Sequence, residues 1–244
     1  MKTNIIFCIC LVFFSLTTTA QFETRIIQEE INAIWNENNS DRITKLNELL
    51  KNAPSKLDGI DTAESDYWIA YLHYKTGISY LSDDKEKTKE HFTKGINILE
   101  KIEKPNTETL SLEGTLNSTM ISIQSDKAWA LSQKAGELFE KAIKLSEKNP
   151  RAYLGLGKSD FYKPAQYGGG KKVEAYLKKA ISYYEEQEKS EKKGPSWGKD
   201  EAFYFLSAFY SKNNRDRDAK FYNSLGLKEF PKNMVLLAQK EKLN

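Results

Sequence analysis

The sequence predicts an all-α solenoid of paired helices, and three observations carry that reading. Apolar residues recur with a period near 3.6 through most of the chain, while the alternation of a half-buried strand is nearly absent. The breaks between periodic segments carry turn and capping residues, and several of the six prolines fall in them. Paired helical segments also return at a spacing of about 40 residues, as in stacked helical repeats.

Each element follows from its pattern. Ile26, Ile27, Ile31 and Ile34 mark one face of a first helix, and Asn38-Asn39-Ser40-Asp41 breaks it. Ile43, Leu46, Leu49 and Leu50 mark a second. A third, over 67–81, is rich in aromatics, and Ser82-Asp83-Asp84 turns the chain. Phe92, Ile96, Leu99 and Ile102 line a fourth, which Pro105 stops. Helices over 109–123 and 131–145 come next, ended by Asn149-Pro150. Two more, over 151–162 and 171–187, flank the stretch Lys163-Pro164-Ala165-Gln166-Tyr167-Gly168-Gly169-Gly170-Lys171-Lys172. A loop over 189–199 contains Gly194-Pro195, and two helices and a closing one follow. The expected organisation is one domain over 21–244. Its hairpins fall near 22–52, 64–103, 107–148, 150–188 and 199–230, with a closing helix over 233–242.

The first twenty residues read as a secretory signal peptide. Lys2 supplies a positive start, residues 5–16 an apolar run, and Thr18-Thr19-Ala20 small residues before a cut at Gln21. The run is too short for the roughly 20 residues that span a bilayer. The expected address is therefore periplasmic, without a retained anchor. Both cysteines, Cys8 and Cys10, lie in this leader, so residues 21–244 have no thiol for disulfides, thiolate metal sites or nucleophilic catalysis. The 37 basic and 34 acidic residues are interspersed, as on solvated helix faces, which argues against a nucleic-acid partner.

Counting identifies the repeat. The tetratricopeptide (TPR) pattern places an aromatic at 4, Leu at 7, Gly at 8, Tyr at 11, Ala at 20, an aromatic at 24, Ala at 27 and Pro at 32. With Phe203 at 4, Leu206, Ser207, Tyr210, Ala219, Gly226 and Pro231 fall in place, and only Asn223, at 24, breaks character. Small residues at the seam positions let two helices approach closely. The preceding repeat has Tyr153, Leu156 and Gly157, then Val173, Leu177 and Ala180. Gly157 to Val173 is sixteen residues where the pattern has twelve, so four extra residues sit in Pro164–Gly170 as an enlarged turn. Ala135, Phe139 and Ala142 keep the spacing, and Thr88, Phe92 and Gly95 do so more weakly.

Asn149-Pro150-Arg151-Ala152-Tyr153, the Pro164, Tyr167-Gly168-Gly169-Gly170 turn and Trp197-Gly198 together resemble an exported TPR family of Bacteroidetes. Its members pair an NPR-aromatic helix start with P-x-x-F-G-G-G and a later W-G. Tyr167 stands where phenylalanine is usual, and the likeness is dense over 127–231 and thin before it. The resemblance implies periplasmic helical-repeat proteins described as accessories of TonB-dependent uptake. A more distant likeness is to the periplasmic TPR component of tripartite solute transporters, which assembles with a solute-binding protein.

The chemistry-bearing candidates are few. Gly170-Lys171-Lys172 lacks the hydroxyl, upstream glycine and strand of a nucleotide-binding loop. Two readings of the turn stay open: a structural crossing, or an anion cradle of backbone N–H groups beside Lys171 and Lys172. His73 and His91 fall on paired helices and lack a third metal ligand, which favours packing over metal binding. No triad or paired-carboxylate motif stands out, so no enzyme activity and no cofactor are expected. Asn38-Asn39-Ser40 and Asn117-Ser118-Thr119 match the N-glycan sequon, and Asp61-Thr62-Ala63 resembles an O-glycan acceptor of Bacteroidetes envelopes.

The best candidate is the concave groove, lined in TPR repeats by positions 2, 5, 9, 12 and 13 of the first helix. These are Arg151, Leu154, Lys158, Phe161 and Tyr162, then Glu201, Tyr204, Ala208, Ser211 and Lys212. Cations beside rings suit a peptide or an acidic ligand. The expected role is a non-catalytic scaffold that binds a peptide segment of an envelope protein, with a transporter component as a further partner. The alternative is a small-molecule module of a periplasmic transport system. The double change Arg151→Ala, Tyr204→Ala is expected to weaken capture with the repeat still folded. Trp197 reads as a partner anchor or as packing on the following helix.

Overall fold

The computed structural model describes residues 26–35, 41–190 and 194–243. The expected leader over 1–20 and Asn38-Asn39-Ser40 lie outside the described residues. Among those described, the regular structure is helical: α1 (26–35), α2 (Arg42–Lys56), α3 (Thr62–Tyr80), α4 (Lys85–Leu99), α5 (Thr107–Met120), α6 (Ala128–Leu145), α7 (Pro150–Tyr162), α8 (Val173–Lys189), α9 (Lys199–Lys212), α10 (Asp216–Glu229) and α11 (Met234–Leu243). No helix among them is long and apolar enough to cross a membrane. The chain is thus all-α and built of helical hairpins. Packing divides the chain into two compact units, Met1–Ile102 and Glu103–Asn244.

In the first unit, α3 packs on α2 and on α4. Asp61 caps α3, accepting from the N–H groups of Ala63 and Glu64, and Asp84 caps α4 through the N–H of Lys87. Tyr67, Trp68, Tyr71 and Tyr74 of α3 are buried. Gly77 lets the α4 ring of Phe92 lie against its backbone, where a Cβ would collide with that ring. The Thr88 hydroxyl donates to the Gly77 carbonyl at 3.2 Å, tying the seam. His73 and His91 do face each other, Nδ1 to Nδ1 at 3.0 Å, and Tyr80 stacks on His91. Burial, followed by the neighbouring imidazole, lowers the His73 pKa to about 4.

In the second unit, α5 pairs with α6, α7 with α8, and α9 with α10, while α11 packs on α9 and α10. Phe139 of α6 fills the gap between Gly114 of α5 and Gly155 of α7, neither of which leaves room for a side chain. At the last hairpin the Ser207 hydroxyl donates to the Ala219 carbonyl at 2.7 Å, so the two small seam positions touch as the repeat requires. Asn223, the departure from the pattern, is buried, and its Nδ2 donates to the Leu236 carbonyl and to Gln239 Oε1, both at 3.0 Å. An aromatic there would leave α11 without these bonds. Asn117 is also buried and donates to the Glu113 carbonyl, which closes the 117–119 sequon to a glycan.

Candidate functional site

Asn149, Arg151 and Trp197 belong to one buried node. Asn149 caps α7 by accepting from the Ala152 N–H at 2.8 Å, and its Nδ2 donates to Glu108 Oε1 at 2.8 Å. The Arg151 guanidinium donates to both Glu108 oxygens, to Gln187 Oε1 and to the Pro195 carbonyl. Its centre lies 5.7 Å from the Trp197 ring and 5.6 Å from that of Tyr184. Gly198 follows with φ of 102°, a conformation only glycine adopts freely, and a Cβ there would collide with the Tyr184 hydroxyl. One arginine therefore joins the starts of α5 and α7 to the loop before α9. In this chain the Asn149-Pro150-Arg151 and Trp197-Gly198 segments thus meet at one guanidinium.

That geometry corrects the groove assignment. Arg151 is 1% exposed and Leu154 is core, so neither lines a binding surface. The Glu108 carboxylate, set in the first turn of α5, draws the guanidinium inward. The double change containing Arg151→Ala would leave the half-buried Glu108 carboxylate without its counter-charge, so its effect on capture could not be separated from instability. Trp197 is likewise buried, as the packing reading has it.

The enlarged turn resolves as a short 3-10 turn over Ala165–Tyr167 between α7 and α8. The Gly168, Gly169 and Gly170 N–H groups donate to the carbonyls of Ala165, Pro164 and Asp160. Gly168 and Gly170 both sit at φ of 84°, and a Cβ on Gly169 would run into the Lys163 carbonyl. The Asp160 carboxylate accepts from the Lys172 N–H at 2.7 Å, just before α8. The chain's own acceptors thus occupy the donors an anion cradle would need, and the cradle reading does not hold. Pro164, Tyr167 and Lys171 remain exposed on this turn.

The remaining groove candidates do come together. Lys158 pairs with Glu201 and lies 5.2 Å from the Phe205 ring. Phe205 meets Phe161, Tyr162 and Tyr204 edge-on, with centroids 5.4, 5.7 and 5.1 Å away. Tyr162 is 69% exposed at the end of this row. Tyr204, Ala208, Ser211 and Lys212 of α9 line one side of an open cavity of about 550 Å³. The Lys212 ammonium stands 5.5 Å from the Phe161 ring.

The other side of the cavity was not foreseen. Met234, Val235, Ala238, Lys242 and Leu243 of α11 supply it, with Gln239 bonding the Tyr204 carbonyl at 3.3 Å. The available signal was the run Met234-Val235-Leu236-Leu237-Ala238, more apolar than a simple cap on α9 and α10 needs. Met234 and Val235 are each 53% exposed. Lys212 and Lys242 form no ion pair with a described residue, so two cations, Lys212 resting on the Phe161 ring, rim an apolar floor.

The fold is similar to two solved structures. The HusA haemophore from Porphyromonas gingivalis matches with a TM-score of 0.60 at 20% identity, over 77% of this chain and 92% of its own. A thermophilic TPR protein of Thermus thermophilus matches with a TM-score of 0.59 at 16% identity, over 92% of this chain and 98% of its own. No protein-family profile matches the sequence, and no curated protein matches it significantly. At these identities the likeness establishes the TPR-type helical fold.

Proposed function

We propose that this TPR-type chain is a non-catalytic binding protein of envelope transport, and that it carries an apolar anionic solute between α9 and α11. The observation that carries the reading is the α9–α11 cavity itself. Its roughly 550 Å³ falls in the 300–1,000 Å³ range of small-molecule sites. Its floor is aromatic and aliphatic, and Lys212 and Lys242 supply charge for carboxylates. The likeness to a haemophore supports a ligand of this kind, a flat apolar body with acidic edges. The leader and the resemblance to exported TPR proteins support the periplasmic address and the accessory role in uptake.

Titration of the purified full-length chain with haem, followed by the absorbance of the bound porphyrin, tests the reading. Saturable binding at micromolar haem is expected, weakened at least tenfold by Lys212→Glu with Lys242→Glu, and by Tyr204→Ala. Haem uptake that ignores all three substitutions, or none at all, overturns it. A second reading has its own support. The cavity is open, and the row from Tyr204 through Phe205 leads to the exposed Tyr162, a track an extended peptide could follow. A peptide ligand would make binding depend on Tyr162 as strongly as on Tyr204.

A further inference from the structure

The turn between α7 and α8 is built more firmly than a connection requires. Four residues beyond the repeat's need are closed by backbone bonds from Tyr167, Gly168, Gly169 and Gly170, and by the Asp160 carboxylate on the Lys172 N–H. Gly169 has no space for a side chain, and its two neighbours use left-handed backbone. Yet from Lys163 to Tyr167 the segment buries nothing: every residue is exposed. Tyr167, at 64% exposure, makes no ring contact within the described chain. Lys163, Lys171 and Lys172 are exposed as well, none is ion-paired to a described residue, and no acidic residue lies between the first and last of them. Ordering glycines is entropically costly, and here the cost serves no core.

We infer that this turn is a preorganised docking knob, separate from the α9–α11 groove, for an acidic segment of a protein partner. Charge complementarity selects the occupant: three lysines flank one tyrosine along the turn, which suits carboxylates placed around an apolar side chain. Tyrosine gives a large contact area at little rotamer cost, and a fixed backbone removes the ordering cost of binding. A lipid surface fits less well. Pro164, Ala165, Gln166 and the glycines offer no long apolar side chain to insert beside Tyr167. The inference does not rest on the groove's ligand.

Photo-crosslinking tests it. Full-length protein carrying p-benzoylphenylalanine in place of Tyr167 is irradiated in its native cells, and the adduct is mapped by mass spectrometry. The expected result is a crosslink to one protein segment rich in Asp and Glu. The yield should fall at least fivefold with Lys171→Glu and Lys172→Glu together, and with Gly169→Ala, which distorts the turn. Haem titration of the same variants checks that the groove is unaffected. An adduct with lipid, an adduct indifferent to charge reversal, or the absence of any adduct overturns the proposal.

Discussion

Both units seat a ring on a bare glycine at a helix seam, but each adds a different polar tie. In the first, the α3–α4 hairpin is sealed by rings, by a bare glycine under Phe92, and by a pair of imidazoles that share one hydrogen bond. In the second, the hairpins are stapled by a charge: Arg151 reaches Glu108, Gln187 and the Pro195 carbonyl. A neutral seam of histidines is sound only while both rings stay neutral. A buried arginine keeps its charge at any pH the protein meets, and its stability is hostage to its partner instead. The first unit should thus yield to acid, and the second to loss of a single side chain.

The largest effect expected from that contrast is at Arg151. Replacing it by alanine leaves Glu108 facing a partly buried, vacated site, and removing one partner of a buried pair costs about 3–5 kcal/mol. Denaturant unfolding followed by hydrogen exchange should show protection lost over α5, α7 and α9, with α3 and α4 unchanged. Equal loss in both units would break the comparison. Replacing Arg151 by methionine and Glu108 by leucine together should recover much of the stability, since no charge then stays buried.

Acid comes next. The His73 pKa falls from an ordinary 6.5 to about 4 because burial, and then His91, resist a positive charge. His91 is lowered as well, again mainly by burial. Glu90 and Lys94 beside them act in opposite directions on His73. In the unfolded chain the imidazoles take up protons below about pH 6.5, while the folded one resists until about pH 4. Stability of the first unit is therefore full above pH 6.5 and drains as the pH falls to 4, by an amount of order 2–3 kcal/mol. Exchange rates over α3 and α4 between pH 7 and 4 measure this. His73→Gln, which can still bond but does not titrate, should flatten the profile.

A smaller effect marks how α11 is held. Asn223→Ala removes two bonds, to the Leu236 carbonyl and Gln239, and leaves buried acceptors short of a donor, which costs about 1–3 kcal/mol. α11 forms one wall of the cavity, so haem affinity should fall together with the protection of α11. Stable protein with unchanged affinity would show that the wall does not depend on this contact.

These same residues show what could be seen in advance. Helix pairing was legible because seam residues obey spacing: Ser207 and Ala219 touch, and Gly157 leaves room for the Leu177 side chain. The enlarged turn was legible as a simple miscount between Gly157 and Val173. Arg151 was not, because a helix position fixes where a side chain starts and not where a long one ends. Its place depends on Glu108, 43 residues earlier. Half of the cavity was missed for a related reason. α11 belongs to no full repeat, so repeat numbering assigned it no face, although the apolar run Met234-Val235-Leu236-Leu237-Ala238 marked it.

The smallest expected change in stability is at the turn, and it separates display from architecture. Tyr167→Ala removes an exposed ring that touches no other, so stability should stay within about 0.5 kcal/mol. Gly169→Ala acts on the same turn through the Lys163 carbonyl, and forcing backbone there costs about 1–3 kcal/mol. Thermal unfolding of both variants compares the two. A turn that only connects α7 to α8 would show a fitness cost with the glycine change and none with the tyrosine. A turn built to present Tyr167 would show the crosslink to its partner and cell fitness falling with either one, although only the glycine change moves the melting temperature.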